Sequence, residues 1–284
     1  MNQFCLITGA TGGLGKVLAR SFWDAGYSLF LHGRKKNTME DIINSLPQNS
    51  HQQLIPIIAD LANPQAAQTI WQQVEKYRNR LEILINNAAI HGPIGKFEAS
   101  ASDEWEEAIR VNLLTPVALC RYVVPHMKER GFGRIICLSG GGATSPRPLF
   151  SAYATAKTGL VRFCENLAVE LQGTGVTVNS IAPGAMKTAL IEEIFHKGPE
   201  IAGENEYAVA SRIIKEGGAS PKNVAQLCLF LASAPAAEIT GKLISAKWDN
   251  YEEWPNHSEE LQSGDLYTLR RITGRDRGIT WGDK

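Results

Sequence analysis

The sequence predicts an α/β fold: a single doubly wound parallel sheet with helices on both faces, followed by a C-terminal extension. Three observations point to it. Short apolar runs alternate with longer segments of helical period. The runs are apolar along most of their length, as strands buried on both faces must be. A glycine-rich turn opens the first run-to-helix junction. The first strand is expected at residues 4–7, and the next at 27–32, 54–59, 81–85, 134–138 and 176–181, with a shorter one at 242–245. Helices are expected at 14–25, 63–76, 101–130, 152–172 and 222–232, and right-handed crossovers then cover both faces of the sheet. Residues 1–245 read as one domain. Within it, residues 186–220 are polar and helix-prone, with breaks at Gly198-Pro199 and Gly217-Gly218, as expected of a substrate lid. Residues 246–284 form the extension, carrying Trp248, Trp254, Trp281, Tyr251 and Tyr267 among many charges.

Composition narrows the function. The 284 residues include 29 basic and 29 acidic side chains, so electrostatically driven binding to nucleic acid or an anionic membrane is not expected. No run is long and charge-free enough to span a bilayer. The five cysteines (Cys5, Cys120, Cys137, Cys164 and Cys228) are scattered through apolar segments without a Cys-x-x-Cys pair. They read as reduced, buried thiols, and the expected compartment is the cytoplasm. The six histidines lack metal-ligand spacing, and no metal is expected.

After the first strand comes Thr8-Gly9-Ala10-Thr11-Gly12-Gly13-Leu14-Gly15, then a helix. Glycines here permit a tight turn and let a helix N-terminus approach a bound pyrophosphate, whose charge the free N–H groups and helix dipole favour. The spacing resembles that of the short-chain dehydrogenase/reductase family, and further matches follow in order along about residues 3–245. Asp60-Leu61 resembles the family's adenine contact. Asn86-Asn87-Ala88-Ala89 is similar to its Asn-Asn-Ala-Gly segment, with Ala89 replacing the glycine. Asn112 matches its helix-bending asparagine. Tyr153 and Lys157 form its Tyr-x-x-x-Lys pair, and Pro183-Gly184 with Thr188 resembles the segment beside the nicotinamide. The resemblance implies a Rossmann-type sheet and a cofactor held by Gly9, Thr11, Gly13, Leu14, Gly15, Arg34, Asp60, Leu61, Asn87, Ala88, Tyr153, Lys157, Pro183, Gly184 and Thr188. It also implies a homodimer or homotetramer paired through residues 101–130 and 152–172.

The end of the second strand chooses the cofactor, because a carboxylate there suits a ribose hydroxyl and an arginine suits a 2′-phosphate. The chain reads Leu31-His32-Gly33-Arg34-Lys35-Lys36, with no carboxylate before Glu40. Gly33 is expected to leave room and Arg34 to fork onto the phosphate, which favours NADP(H) over NAD(H).

Tyr153 and Lys157, four apart, share a helix face. A free phenol has a pKa of about 10, and a neighbouring ammonium is expected to lower it. Tyr153 would then exchange a proton with the oxygen of a reacting carbonyl. By resemblance, Lys157 touches the nicotinamide ribose and Asn112 holds a water linking Lys157 to solvent. The family's substrate-orienting serine falls at Gly140. Ser139, within Ser139-Gly140-Gly141-Gly142, is one replacement if the glycines re-aim it; Thr144, Ser145 or a backbone N–H are the others.

Pro148, Leu149, Phe150 and Ser151 are expected to form one wall of the substrate cleft, with Ile191, Ile194 and Phe195 either offering the lid an apolar face or serving as core contacts at helix spacing. The tail either packs its tryptophans on the body or a partner subunit, or presents Arg270, Arg271 or Arg277 to an anionic substrate handle. The expected function is an NADP(H)-dependent oxidoreductase interconverting a carbonyl and an alcohol on a small molecule, a class that includes sugars and nucleotide-sugars. A cofactor-binding sensor or scaffold with little turnover and a 3-oxoacyl reductase are the alternatives.

Overall fold

The computed structural model describes residues 3–48, 50–279 and 281. Seven strands form one sheet: β1 (Phe4–Ile7), β2 (Ser28–Gly33), β3 (Leu54–Ile58), β4 (Leu81–Asn86), β5 (Gly133–Leu138), β6 (Val176–Ala182) and β7 (Leu243–Ser245). Their order is β3-β2-β1-β4-β5-β6-β7, and every pair is parallel. Chain direction across the sheet reverses beside β1, so a crevice opens between the carboxyl ends of β1 and β4.

Alternation along each strand divides the core. Cys5 and Ile7 of β1 face α1 (Gly13–Asp24), α2 (Lys36–Ser45) and the helix of residues 221–232; Phe4 and Leu6 face the opposite layer. In α1, Leu14, Leu18 and Phe22 recur every fourth residue and are buried against the sheet. The opposite layer is α3 (Ala66–Val74), α5 (Thr115–Arg130) and α6 (Ser151–Glu170), contributing Ile70, Val123 and Leu160 among others.

Two elements differ from the sequence expectation. The α2 helix was not expected; it buries only Met39 and Ile42, too few apolar residues to set a clear period. The helix expected over 101–130 is α4 (Ser102–Ile109), a π-helical segment (Arg110–Leu114) and α5. Asn112 lies in that segment, its Nδ2 donating to the carbonyls of Ala108 (2.9 Å) and Ile90 (2.8 Å), which opens the ladder and bends the helix. Residues 186–220 form α7 (Ala189–Ala202) and α8 (Glu204–Glu216), with the expected breaks at Gly198, which is non-helical, and Gly217, with φ 88°; a further break that the sequence reading did not name falls at Gly203, with φ 84°. The helix of residues 221–232, α9 (Pro221–Ala232), follows, capped by Ser220.

The extension lies along the end of the sheet. Tyr251, Trp254 and Leu261 are buried in the α1–α9 layer, and Trp254 stacks on Tyr267 at 4.2 Å. The Leu243 N–H of edge strand β7 donates to Tyr267 O (2.8 Å), and the Leu269 N–H donates to Glu165 Oε1 (2.7 Å) on α6. Trp248 and Trp281 are exposed. Arg270 is held by Asp265 and Asp276.

His32 staples β2 to the turn after β1. The Gly9 N–H donates to Nδ1 (3.3 Å), so the proton sits on Nε2 and is donated to Ala59 O (3.1 Å) after β3. Burial lowers the His32 pKa to about 4. The unfolded chain takes up this proton near pH 6.5 and the folded chain only near 4, so the staple's contribution is present at neutral pH and lost as pH falls through that window. The stability lost in full by protonating this buried ring is about 3 kcal/mol. Urea unfolding of the wild type and His32→Gln between pH 7 and 4 should show the stability gap closing with acid; a gap independent of pH would contradict the neutral staple.

Candidate active site

A cleft of about 940 Å³ occupies the crevice at the carboxyl ends of the strands. Its floor is the turn after β1. Gly9 has φ 64°, and a Cβ there would stand 2.8 Å from Ala88 Cα; one at Gly15 would stand 2.2 Å from Gly9 O. Both positions therefore exclude a side chain. Helix α1 starts at Gly13 with no side-chain cap on Gly12, and Gly13, Leu14 and Gly15 line the cleft with the unpaired N–H groups of the first turn. This is an anion cradle. Asn87 fastens it to β4: its Nδ2 donates to Thr8 O (2.8 Å) and Gly9 O (3.1 Å), while the N–H groups of Asn87 and Ala88 donate to Thr8 Oγ1.

One end of the cleft is lined by Thr11, Arg34, Asp60 and Leu61. Gly33 lines the cleft, and a Cβ there would meet Thr11 Cγ2 at 2.9 Å and Met39 Cε at 3.0 Å, so the position suits glycine. Arg34 is exposed and makes no hydrogen bond or ion pair among the described residues. An extended molecule with a diphosphate at the cradle and a second phosphate near Arg34 fits these residues, so a dinucleotide matches the donor set. Pro183 and Thr188 line the opposite side, and Thr188 Cγ2 would be 3.4 Å from a Cβ at Gly13. Gly184 does not reach the cleft; its φ of 78° places it against Ala219.

Tyr153, Lys157 and Ser139 line the same cleft. Lys157 is buried and its Nζ donates to Leu138 O (2.8 Å), 5.7 Å from the Tyr153 ring centre. Burial lowers the Lys157 pKa to about 8, against a smaller opposing pull from Cys137 and Cys164. Burial also raises the Tyr153 pKa, and the cation that opposes the rise is Arg147. The expectation that Lys157 acidifies the phenol is thus corrected for this arrangement: desolvation outweighs it, and Tyr153 is a protonated phenol at neutral pH.

A Cβ at Gly140 would lie 2.2 Å from Tyr153 Oη, so the phenol occupies the place of the serine's first carbon. Ser139 Oγ is buried without a hydrogen-bond partner. Thr144 and Ser145 are exposed and do not line the cleft, which leaves Ser139 as the one hydroxyl of the three beside Tyr153. Asn112 does not line the cleft either: both Nδ2 hydrogens are donated to carbonyls, and Oδ1 accepts the Ile90 N–H (3.3 Å).

The substrate wall differs from expectation. Pro148, Leu149, Phe150 and Ser151 do not line the cleft; Phe150 is buried beneath α7 and α8 with Ile194, Ile191 and Phe195, so those lid residues are core contacts. The loop at residues 90–101 forms the wall instead, facing Met186, Leu190, Glu193 and Lys197. Arg270, Arg271 and Arg277 of the tail lie outside it.

Two residues without a sequence signal stand beside Tyr153. The Arg147 guanidinium lies 4.1 Å from the Phe150 ring centre and grips Glu206 of α8 with two bonds, 2.9 and 2.7 Å. His91 is buried, with Nδ1 2.9 Å from Glu193 Oε2 of α7 and its ring edge-on to Tyr153 at 5.1 Å. Its only sequence mark is a place just past Asn86-Asn87-Ala88-Ala89, on a loop at a strand's carboxyl end.

Comparison with known proteins adds the following. A family described as short chain dehydrogenase matches residues 3–198. A D-beta-hydroxybutyrate dehydrogenase of Rhizobium meliloti (strain 1021) is 31% identical over 254 residues, covering 86% of this chain and 97% of the relative. Dehydrogenase/reductase SDR family member 4 of Homo sapiens is 27% identical over 243 residues, covering 86% and 85%. Among solved structures, YwfH, an NADPH dependent reductase involved in bacilysin biosynthesis, is similar with a TM-score of 0.76 at 25% identity, covering 87% of this chain and 97% of that one.

The Tyr153–Gly140 contact is directly testable. Gly140→Ala should destabilise the fold by about 1–3 kcal/mol in denaturant unfolding, because the buried ring must move to admit the methyl. Unchanged stability would show that the phenol does not fill that space.

Proposed function

The chain belongs to the short chain dehydrogenase family, and from that premise we propose that it is an NADPH-dependent reductase of carbonyl groups on small polar molecules. The observation that carries this reading is a buried, protonated Tyr153 hydroxyl lining the same cleft as the anion cradle. A bound nicotinamide would supply the hydride. Tyr153 donates its proton to the oxygen of the reduced carbonyl, and burial, which raises its pKa, keeps that proton in place at neutral pH. Ser139 Oγ, lacking a protein partner, is free to donate to the same oxygen. Lys157, anchored on Leu138 O, has donor capacity left for the ribose and returns positive charge toward the phenolate.

Arg34, which lines the cleft with Thr11 and makes no ion pair among the described residues, supports NADP(H) over NAD(H), as does the likeness to YwfH, an NADPH dependent reductase. The helices α7 and α8 act as a lid that excludes water, and residues 246–284 serve as a strap on the body. The Rhizobium relative acts on a hydroxy acid by its name, which supports a small oxygenated substrate; sugars remain within that class. A homodimer or homotetramer in the cytoplasm is the assembly we propose. All five cysteines are free, and no helix among the described residues is long and apolar enough to cross a membrane. A sensor with little turnover accounts for Gly140 but leaves the phenol, the lysine and the unpaired Ser139 without a role.

NADPH oxidation across a carbonyl panel tests the reading. Tyr153→Phe should lose at least about 10²-fold in turnover while still binding NADPH, and Arg34→Glu should weaken NADPH about tenfold or more without weakening NADH. Full activity in Tyr153→Phe would overturn it.

A further inference from the structure

We infer that His91, held by Glu193, contacts the substrate and selects carbonyl compounds bearing a second oxygen, a hydroxyl or a carboxylate, close to the reacting carbon. This rests on the reductase reading above. Four observations carry it. His91 lines the cleft with Tyr153, and its ring stands edge-on to Tyr153 at 5.1 Å and to Phe150 at 5.2 Å, so its plane is fixed from two sides. Nδ1 is 2.9 Å from Glu193 Oε2, and Nε2 has no hydrogen-bond partner among the described residues. The carboxylate fixes the tautomer: Nδ1 carries a proton, and Nε2 is the group left for the cleft. Finally, Lys96 and Lys197 line this wall and make no ion pair among the described residues.

An imidazole with Nδ1–H donated to a carboxylate accepts at Nε2 when neutral and donates there when protonated. The neutral ring suits a substrate hydroxyl, and the protonated ring a carboxylate, which the two lysines would also attract. In both cases one substrate oxygen sits on Tyr153 and another on His91. Because Glu193 belongs to α7, closure of that helix over the cleft sets the imidazole, which makes Glu193 a positioning residue. A simple ketone gains nothing from this pair and leaves a buried polar nitrogen without a partner.

The test uses the full chain with NADPH and matched sets of ketone, hydroxyketone and keto acid, the smallest being butanone, hydroxybutanone and oxobutanoate. His91→Phe, which keeps an aromatic ring on Tyr153, should lower the ratio of kcat/KM for the oxygenated member to that for the plain ketone about 10–100-fold, mainly through the KM of the oxygenated member. His91→Gln should recover part of the loss, since its amide both donates and accepts, and Glu193→Gln should fall between. A loss confined to the keto acid marks a carboxylate-binding imidazolium, and a loss confined to the hydroxyketone marks a neutral acceptor; either supports the inference. Equal losses on all three members, or none, overturn it and leave the reductase reading standing. No turnover of any carbonyl by the wild type overturns both.

Discussion

Tyr153 lies with its hydroxyl against the backbone of Gly140, in the volume where any other residue would place its β-carbon. That contact governs the chemistry around it. His91 stands against one side of the ring and Arg147 against another, and burial holds the phenol's proton. Lys157, equally buried, spends one N–H on Leu138 O and is itself pushed toward neutrality. The pair one helical turn apart is therefore poised as an acid with a weakened cation behind it. Two desolvated groups cannot both be ionised cheaply. The charge balance changes when a cationic ring or an anionic oxygen enters the cleft.

The sheet positions this arrangement from a distance. Tyr153 and Lys157 stand on α6, and other parts of the site hang from the carboxyl ends of strands: the cradle from β1, Asn87 from β4, Ser139 from β5 and Pro183 from β6. Cross-strand ties lock these ends together. His32 joins β2 to the cradle and to the end of β3, and Asn87 and Thr8 join the cradle to β4. The lid helices are tied to the body through Arg147–Glu206 and His91–Glu193, both of which end beside Tyr153. Motion of α7 or α8 would therefore be felt at the phenol.

Most of the sheet was legible in the sequence because its strands are apolar runs of parallel type, and the cradle because only glycine satisfies its φ and its close approaches. The α2 helix escaped because two buried residues do not make a period. The substrate wall escaped for a different reason. His91 and Glu193 are 102 residues apart and Arg147 and Glu206 are 59 apart, so no local pattern encodes their meeting. Gly140 was visible as a departure from the family, but its cause, a phenol in the serine's place, needed the packing. Phe150 and Leu149 read as cleft wall from their nearness to Tyr153 in the chain, whereas Phe150 is buried in the core beneath the lid and Leu149 packs against it.

The central claim is that Tyr153 is a neutral acid at physiological pH. Titration of 13C-labelled tyrosine by NMR in the full-length protein, with Tyr153→Phe to assign the signal, measures this directly. A phenol that stays protonated past the free value of about 10, and further still in Arg147→Gln, is the predicted result. A Tyr153 signal that loses its proton below pH 8 would contradict the account.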